Sequence, residues 1–258
     1  MALLMRATIA LPCAALAPGA SPQVWVGSSR DANSTYAALA DHSGILVSWL
    51  PMADNGAAIS SVTVSCTLTG SSTSCDTDGP VSVTCGGSQC ETSARVKVTS
   101  DAIGSAVRLQ VVASNSVGNG QAASVTTIPA CAPTAPSRVT TAVAAGGLSV
   151  NVQWGPPASD GGAPISSFKV IAEPGGHATV VPVQSGTVAG LYHGAVDGLA
   201  AGALYFVTVI ATNQAGLSST PSVPAEVLLP LPHKPGTRPS SVACACLHAC
   251  STAESHDR

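Results

Sequence analysis

Two stretches of the chain are near copies of each other: VSWLPMADNGAAIS at 47–60 and VQWGPPASDGGAPIS at 152–166. Each carries a Trp at the end of an alternating apolar run, then a Pro, an acidic or amide residue and a Gly. Internal repetition at about a hundred residues means two copies of one domain-sized unit, so any fold assigned to one half must serve the other. Trp49 aligns with Trp154, Pro51 with Pro156, Asn55 with Asp160 and Gly56 with Gly161. After a one-residue gap, Ile59 aligns with Ile165 and Ser60-Ser61 with Ser166-Ser167. A second landmark, ASNSVG at 113–118, aligns with ATNQAG at 211–216. The offset shrinks from 105 residues at the Trp pair to 98 at the Asn pair, which places an insertion in the first copy. That insertion contains Cys66, Cys75, Cys85 and Cys90.

The runs around the landmarks have period two, the signature of a strand with one buried face. Val150, Val152 and Trp154 share one face, as do Ile45, Val47 and Trp49. Downstream, Tyr205, Val207, Val209 and Ala211 form one face, as do Val107, Leu109, Val111 and Ala113, with Arg108 and Gln110 opposed. DNGA, DGGA, EPGG and NGQ mark turns. No segment shows a sustained helical period with caps. Short alternating strands between frequent turns predict an all-β fold of two sandwiches. The Pro-rich PACAPTAPS reads as a linker, stiffer than a Gly/Ser one. Beyond about 229 the alternation ends, and a disordered Pro/Cys-rich tail is expected over 230–258. The expected organisation is a candidate signal peptide at 1–20, modules at 21–128 and 136–229, and a linker at 129–135.

The second copy resembles the fibronectin type III family. APTAPS precedes its first strand, Trp154 stands at the family's strand B Trp, and GPPASDGGAPISSFKV resembles the B–C turn and strand C. GLAAGALYFVTVIATNQAG at 198–216 is similar to the E–F corner and strand F. The resemblance implies tandem immunoglobulin-like sandwiches in which Leu199 packs on Trp154 and Tyr205 makes a tyrosine corner. The first copy keeps Trp49, the turn and ASNSVG but has Val107 at the corner Tyr. The resemblance covers about 190 of the 258 residues and speaks to fold far more than to function.

Composition narrows the function classes. Charged residues are 9 %, against roughly 25 % in an average soluble domain, and the net charge is −3. No basic stripe offers itself to a phosphate backbone, which argues against nucleic acid. No apolar run reaches the length of a membrane-spanning helix. The nine cysteines become eight once a leader containing Cys13 is removed, an even number suited to an oxidising compartment. Four cysteines allow three pairings. Cys66–Cys75 and Cys85–Cys90 are favoured because each closes a short loop, the second bracketing GGSQ.

Catalytic spacings are missing: there is no G-x-S-x-G, H-E-x-x-H, G-x-x-x-x-G-K or G-x-G-x-x-G. The six histidines are scattered, and solvated loop positions explain them. CDTDGP at 75–80 opens like a calcium loop but lacks the closing Glu; a turn beside a disulfide explains it better. Cys244, Cys246, His248 and Cys250 alternate in the tail and form the weak metal candidate, set against disulfides there. Asn33 begins an N-glycosylation sequon. The integrin-binding tripeptide Arg-Gly-Asp is absent.

These readings point to an extracellular or secreted non-enzymatic protein for binding, adhesion or spacing, without cofactor, whose partner is a protein or glycan. The secondary reading of its location is as part of a larger cell-surface protein. The alternatives are the ancillary modules of a larger secreted hydrolase and metal binding through the tail. One surface stands out. With Phe168, Val170 and Ala172 inward on strand C and Tyr205, Val207 and Val209 inward on strand F, Ile171, Phe206 and Ile210 form an apolar group outside.

Overall fold

The computed structural model describes residues 15–21, 23–27, 35–39, 44–86, 90–183 and 190–231. Asn33, Cys244, Cys246, His248 and Cys250, the first fourteen residues of the candidate leader and all of the tail after residue 231 lie outside the described residues. The described chain is two β-sandwiches in sequence.

In the first, β1 (Val24–Val26), β3 (Ile45–Trp49) and β6 (Ser93–Val96) form one sheet. The facing sheet runs β2 (Tyr36–Ala38), β9 (Ala123–Ala130), β7 (Val107–Asn115), β4 (Ile59–Leu68) and β5 (Val81–Thr84), and β8 (Gly118–Asn119) turns back on β7. A 3-10 turn, Ser100–Ala102, bridges β6 to β7. The short β2 lies parallel to β9, while every other pairing in this unit is antiparallel. In the second sandwich β10 (Ser137–Val143), β11 (Val150–Gly155) and β14 (Tyr192–Val196) face the sheet β13 (His177–Pro182), β12 (Ile165–Glu173), β15 (Leu204–Asn213) and β16 (Ala225–Leu228).

Side-chain alternation fixes which face is core. Val107, Leu109, Val111 and Ala113 are fully buried on β7, and Tyr205, Val207, Val209 and Ala211 are buried on β15. Each sandwich has its own apolar cluster, around Trp49 in one and Trp154 in the other. Both central pairs, β4–β7 and β12–β15, shift register at the same place, between Ile59 and Ser61 and between Ile165 and Ser167. Such a bulge is an inherited feature of a strand rather than a defect.

The B–C turns correct the sequence alignment. Gly56 N–H donates to Asp54 Oδ1 at 3.1 Å, and Gly162 N–H donates to Asp160 Oδ1 at 2.8 Å. The left-handed residues are Asn55 and Gly56 in one turn, Gly161 and Gly162 in the other. Asp54, not Asn55, therefore matches Asp160, and the gap falls before the Asp. A short acceptor side chain closing its own turn, followed by residues tolerant of positive φ, is what both sequences satisfy.

Two expected boundaries also change. Residues 15–20 are built into the first sandwich: Leu16 N–H donates to Asn55 O at 3.1 Å, Gly19 N–H to Ala53 O at 2.9 Å, and Pro18 and Ser21 are buried. A leader ending at residue 20 would remove this segment. In addition, 129–135 is not a spacer. Pro129 and Ala130 finish β9, and Cys131 N–H already donates to Gly161 O at 2.8 Å in the second sandwich. LAPGASP at 16–22 and CAPTAPS at 131–137 are thus the same entry segment, used twice.

Candidate functional site

The repeated Asn is a pin. Asn213 Nδ2 donates to Cys131 O at 2.9 Å and Asp160 O at 3.0 Å, while its Oδ1 accepts Leu217 N–H at 3.1 Å. Asn115 repeats this with Leu16 O at 2.8 Å, Asp54 O at 3.2 Å and the N–H groups of Val117 and Gly118. One buried amide thereby ties the entry segment, the B–C turn and the F–G turn together, because a planar donor–acceptor side chain matches backbone groups on both sides. This role was missed in the sequence, where the Asn served only as an alignment landmark.

Trp154 is fully buried, with Leu199 in the same cluster. Tyr205 is buried on β15, and its hydroxyl accepts Ala200 N–H at 3.0 Å, closing the E–F corner. In the first sandwich the corner position is the fully buried Val107. Two disulfides, Cys66–Cys75 and Cys85–Cys90, close short loops beside β4 and β5. Between them Asp76 is half-buried. Burial pushes its carboxyl up from the usual aspartate value, against the lowering effect of Cys66 N–H and Ser74 Oγ on its Oδ2. Asp78 of the CDTDGP stretch pairs with Lys97 at 3.0 Å. Among the described residues no group of three or more His, Cys, Asp or Glu could hold a metal, and no helix is long and apolar enough to cross a membrane. Cys131 is in neither bridge; burial raises its thiol pKa, which disfavours the thiolate.

The outer face of the β13-β12-β15-β16 sheet carries the predicted apolar group. Phe206 is 43 % exposed, and Ile171 and Ile210 are half-buried. Ile171 lies opposite Thr208, on the diagonal between Phe206 and Ile210. The group is larger than the sequence reading had it: Val180 lies across Lys169 from Ile210, and Leu204 pairs with Leu228 next to Phe206. Val180 and Leu228 are 63 % and 64 % exposed. Charge is sparse but placed, with Glu173 and Glu226 on either side of Phe206. The matching face of the first sandwich is different in kind. There Thr63 pairs with Ser82, Ser65 with Gln110 and Gln110 with Ser124, and Arg108 Nη2 donates to Ser124 Oγ at 3.1 Å.

The Fibronectin type III domain family matches residues 134–228. No curated protein matches the chain. Among solved structures, the FN1–FN3 domains of chicken CNTN1 align at 17 % identity and a TM-score of 0.48, over 84 % of this chain and 69 % of that one. A run of titin domains aligns at 21 % identity and a TM-score of 0.46, over 80 % of this chain and 66 % of that one. The second sandwich therefore matches the fibronectin type III family, and the first repeats its Trp, Asp-closed turn and Asn pin.

Proposed function

We propose that the chain is a non-catalytic extracellular binding protein of the adhesion or spacer type, whose second sandwich docks a partner protein on the outer face around Ile171, Phe206 and Ile210. The observation that carries this reading is the apolar character of that face beside a hydroxyl-covered counterpart in the first sandwich. Contiguous exposed apolar residues rimmed by polar ones mark contact surfaces on soluble proteins. Aliphatic and aromatic side chains in the middle of the sheet suit a protein better than a glycan, because they offer buried area rather than hydrogen bonds. Two disulfides support an oxidising compartment.

The test is a Phe206→Ser, Ile210→Thr double variant in a pull-down from the native extracellular medium, with sedimentation to follow self-association. The expected result is loss of the retained partner or of self-association, with the melting temperature held within about two degrees of wild type, as for surface substitutions. Undiminished binding by a folded double variant would count against this face.

A further inference from the structure

The outer face of the second sandwich carries its charges in a fixed order. Strand pairing sets that face in rows. Ile171 and Thr208 form the middle row. One row to one side, Lys169 lies between Val180 and Ile210. One row to the other side, Phe206 lies between Glu173 and Glu226. On β12 the cation and the carboxylate therefore stand at equal distances on either side of Ile171, about 7 Å along the strand. Lys169, Glu173 and Glu226 are exposed, and Lys169 has no ion-pair partner among the described residues. Glu173 accepts Gly176 N–H on Oε2 at 2.9 Å, and a carboxylate has room for further donors. Counting from the shared bulge, the same three positions on β4 are Thr63, Ser65 and Thr67. The ordered charges and the central Ile thus belong to the second sandwich alone.

We propose that this face docks on the same face of a second copy of the chain, about a two-fold axis that lies across the strands over Ile171 and Thr208. The proposal rests on the reading of this face as a docking surface and names its occupant. Such an axis turns each row into its opposite. Lys169 of each copy meets Glu173 of the other, Phe206 of each meets Ile210 of the other, and Ile171 meets itself. Opposite charges meet twice and apolar groups meet in the middle, which is the complementarity that fixes register between partners. The two carboxylate rows end up at opposite ends of the contact. A two-fold axis along the strands, the other symmetric choice, would press Glu173 onto Phe206 and Lys169 onto Ile210 without a counter-charge. Facing sheets keep their strands within about 30° of each other, so rows this close to the axis stay in register. The face measures about 19 Å by 27 Å, and each copy gives up roughly 500 Å², the size of a weak, reversible contact.

The experiment is sedimentation equilibrium of the oxidised full chain up to about 1 mM, where a reversible dimer with a Kd of about 100 μM is expected. Lys169→Glu and Glu173→Lys, each taken alone, should weaken self-association about tenfold, because each turns two attractions into two repulsions. Mixed together, the two variants should regain the wild-type affinity, since both glutamates of one then meet both lysines of the other. A substitution that acted only on the fold would not be rescued by mixing. Should Glu173→Lys disturb the turn closed by Gly176 N–H and fail to fold, Lys169→Glu alone decides. Its self-association should strengthen as salt is raised, while that of the wild type weakens. The Phe206→Ser, Ile210→Thr variant should abolish the dimer in every case. A chain that is monomeric at about 1 mM, a dimer that survives this double variant, or a mixture no tighter than its two parents would overturn the proposal. If the chain is monomeric but the double variant still loses a partner in the pull-down, self-docking falls and the docking face stands; if neither changes, both fall.

Discussion

The second sandwich holds its centre with rings, the first with sulfur. Trp154, Phe168 and Tyr192 meet face and edge, and Tyr205 locks the corner. The same four positions in the first sandwich read Trp49, Val62, Thr92 and Val107. What the first unit has in addition is an insertion closed by two disulfides. The two solutions act on different states of the chain. Ring packing lowers the free energy of the folded core through burial and contact. A disulfide works mainly by restricting the unfolded chain, so it needs no well-filled interior. A unit stabilised in the second way can do without ring contacts around its Trp.

The largest test of that difference is removal of each Trp. Trp154→Ala should cost about 3–5 kcal/mol in the second sandwich, the range for deleting a large buried ring. Trp49→Ala should cost less, because Trp49, though equally buried, has Val62 and Thr92 where Trp154 has the rings of Phe168 and Tyr192. Separate melting transitions of the two variants, followed by tryptophan fluorescence and calorimetry, give the comparison. A larger cost at Trp49 than at Trp154 would mean that the rings of the second sandwich are not what holds it.

Reduction is the next in size. Chain-entropy arithmetic for loops of sequence separation 9 and 5 gives about 2–3 kcal/mol per bridge. Both bridges are in the first sandwich, so dithiothreitol should lower its transition and leave the second where it was. Equal loss from both units would break the division of labour argued above.

How far the sequence revealed these differences depends on whether a feature is local. The Trp anchors, the alternation of β7 and β15 and the outward set Ile171, Phe206 and Ile210 were legible, because period two decides them within one strand. The short-loop cysteine pairing was legible for a similar reason. The entry segment LAPGASP was not. Its Ala and Pro read as a leader, and its place is set by hydrogen bonds from Leu16 and Gly19 to a turn some 35 residues away. Nor was the one-residue gap before Asp54, since Asp, Asn and Gly all suit such a turn and only the Asp54 Oδ1 and Asp160 Oδ1 bonds tell the positions apart. Val180, Leu204 and Leu228 join the outer face through pairing with strands far along the chain. The exchange of Phe168 and Tyr192 for Val62 and Thr92 was hidden most deeply, because those two look ordinary until strand pairing lays them beside Trp49.

The smallest expected effect concerns Asp76, a residue with no counterpart in the second sandwich. One oxygen accepts Cys66 N–H at 3.2 Å and Ser74 Oγ at 3.4 Å; the other is buried without a partner. Desolvation outweighs these bonds, and the carboxyl is raised above its ordinary value. The folded first sandwich therefore holds this proton more tightly than the unfolded chain does. By linkage, the acid form contributes stability that is present below the usual aspartate pKa and is lost as pH rises through the raised one. Asp76→Asn keeps an acceptor for Cys66 N–H and removes the charge. In the variant, the part of the pH dependence above the normal aspartate range should flatten in the first sandwich alone, and the neutral-pH melting temperature should stay level or rise slightly. Denaturant titrations at a series of pH values from about 3 to 7, read separately for the two units, measure it. A steeper loss of stability with rising pH in Asp76→Asn than in wild type would show that the carboxylate is favoured where it sits, and that the two bonds to Oδ2 outweigh burial after all.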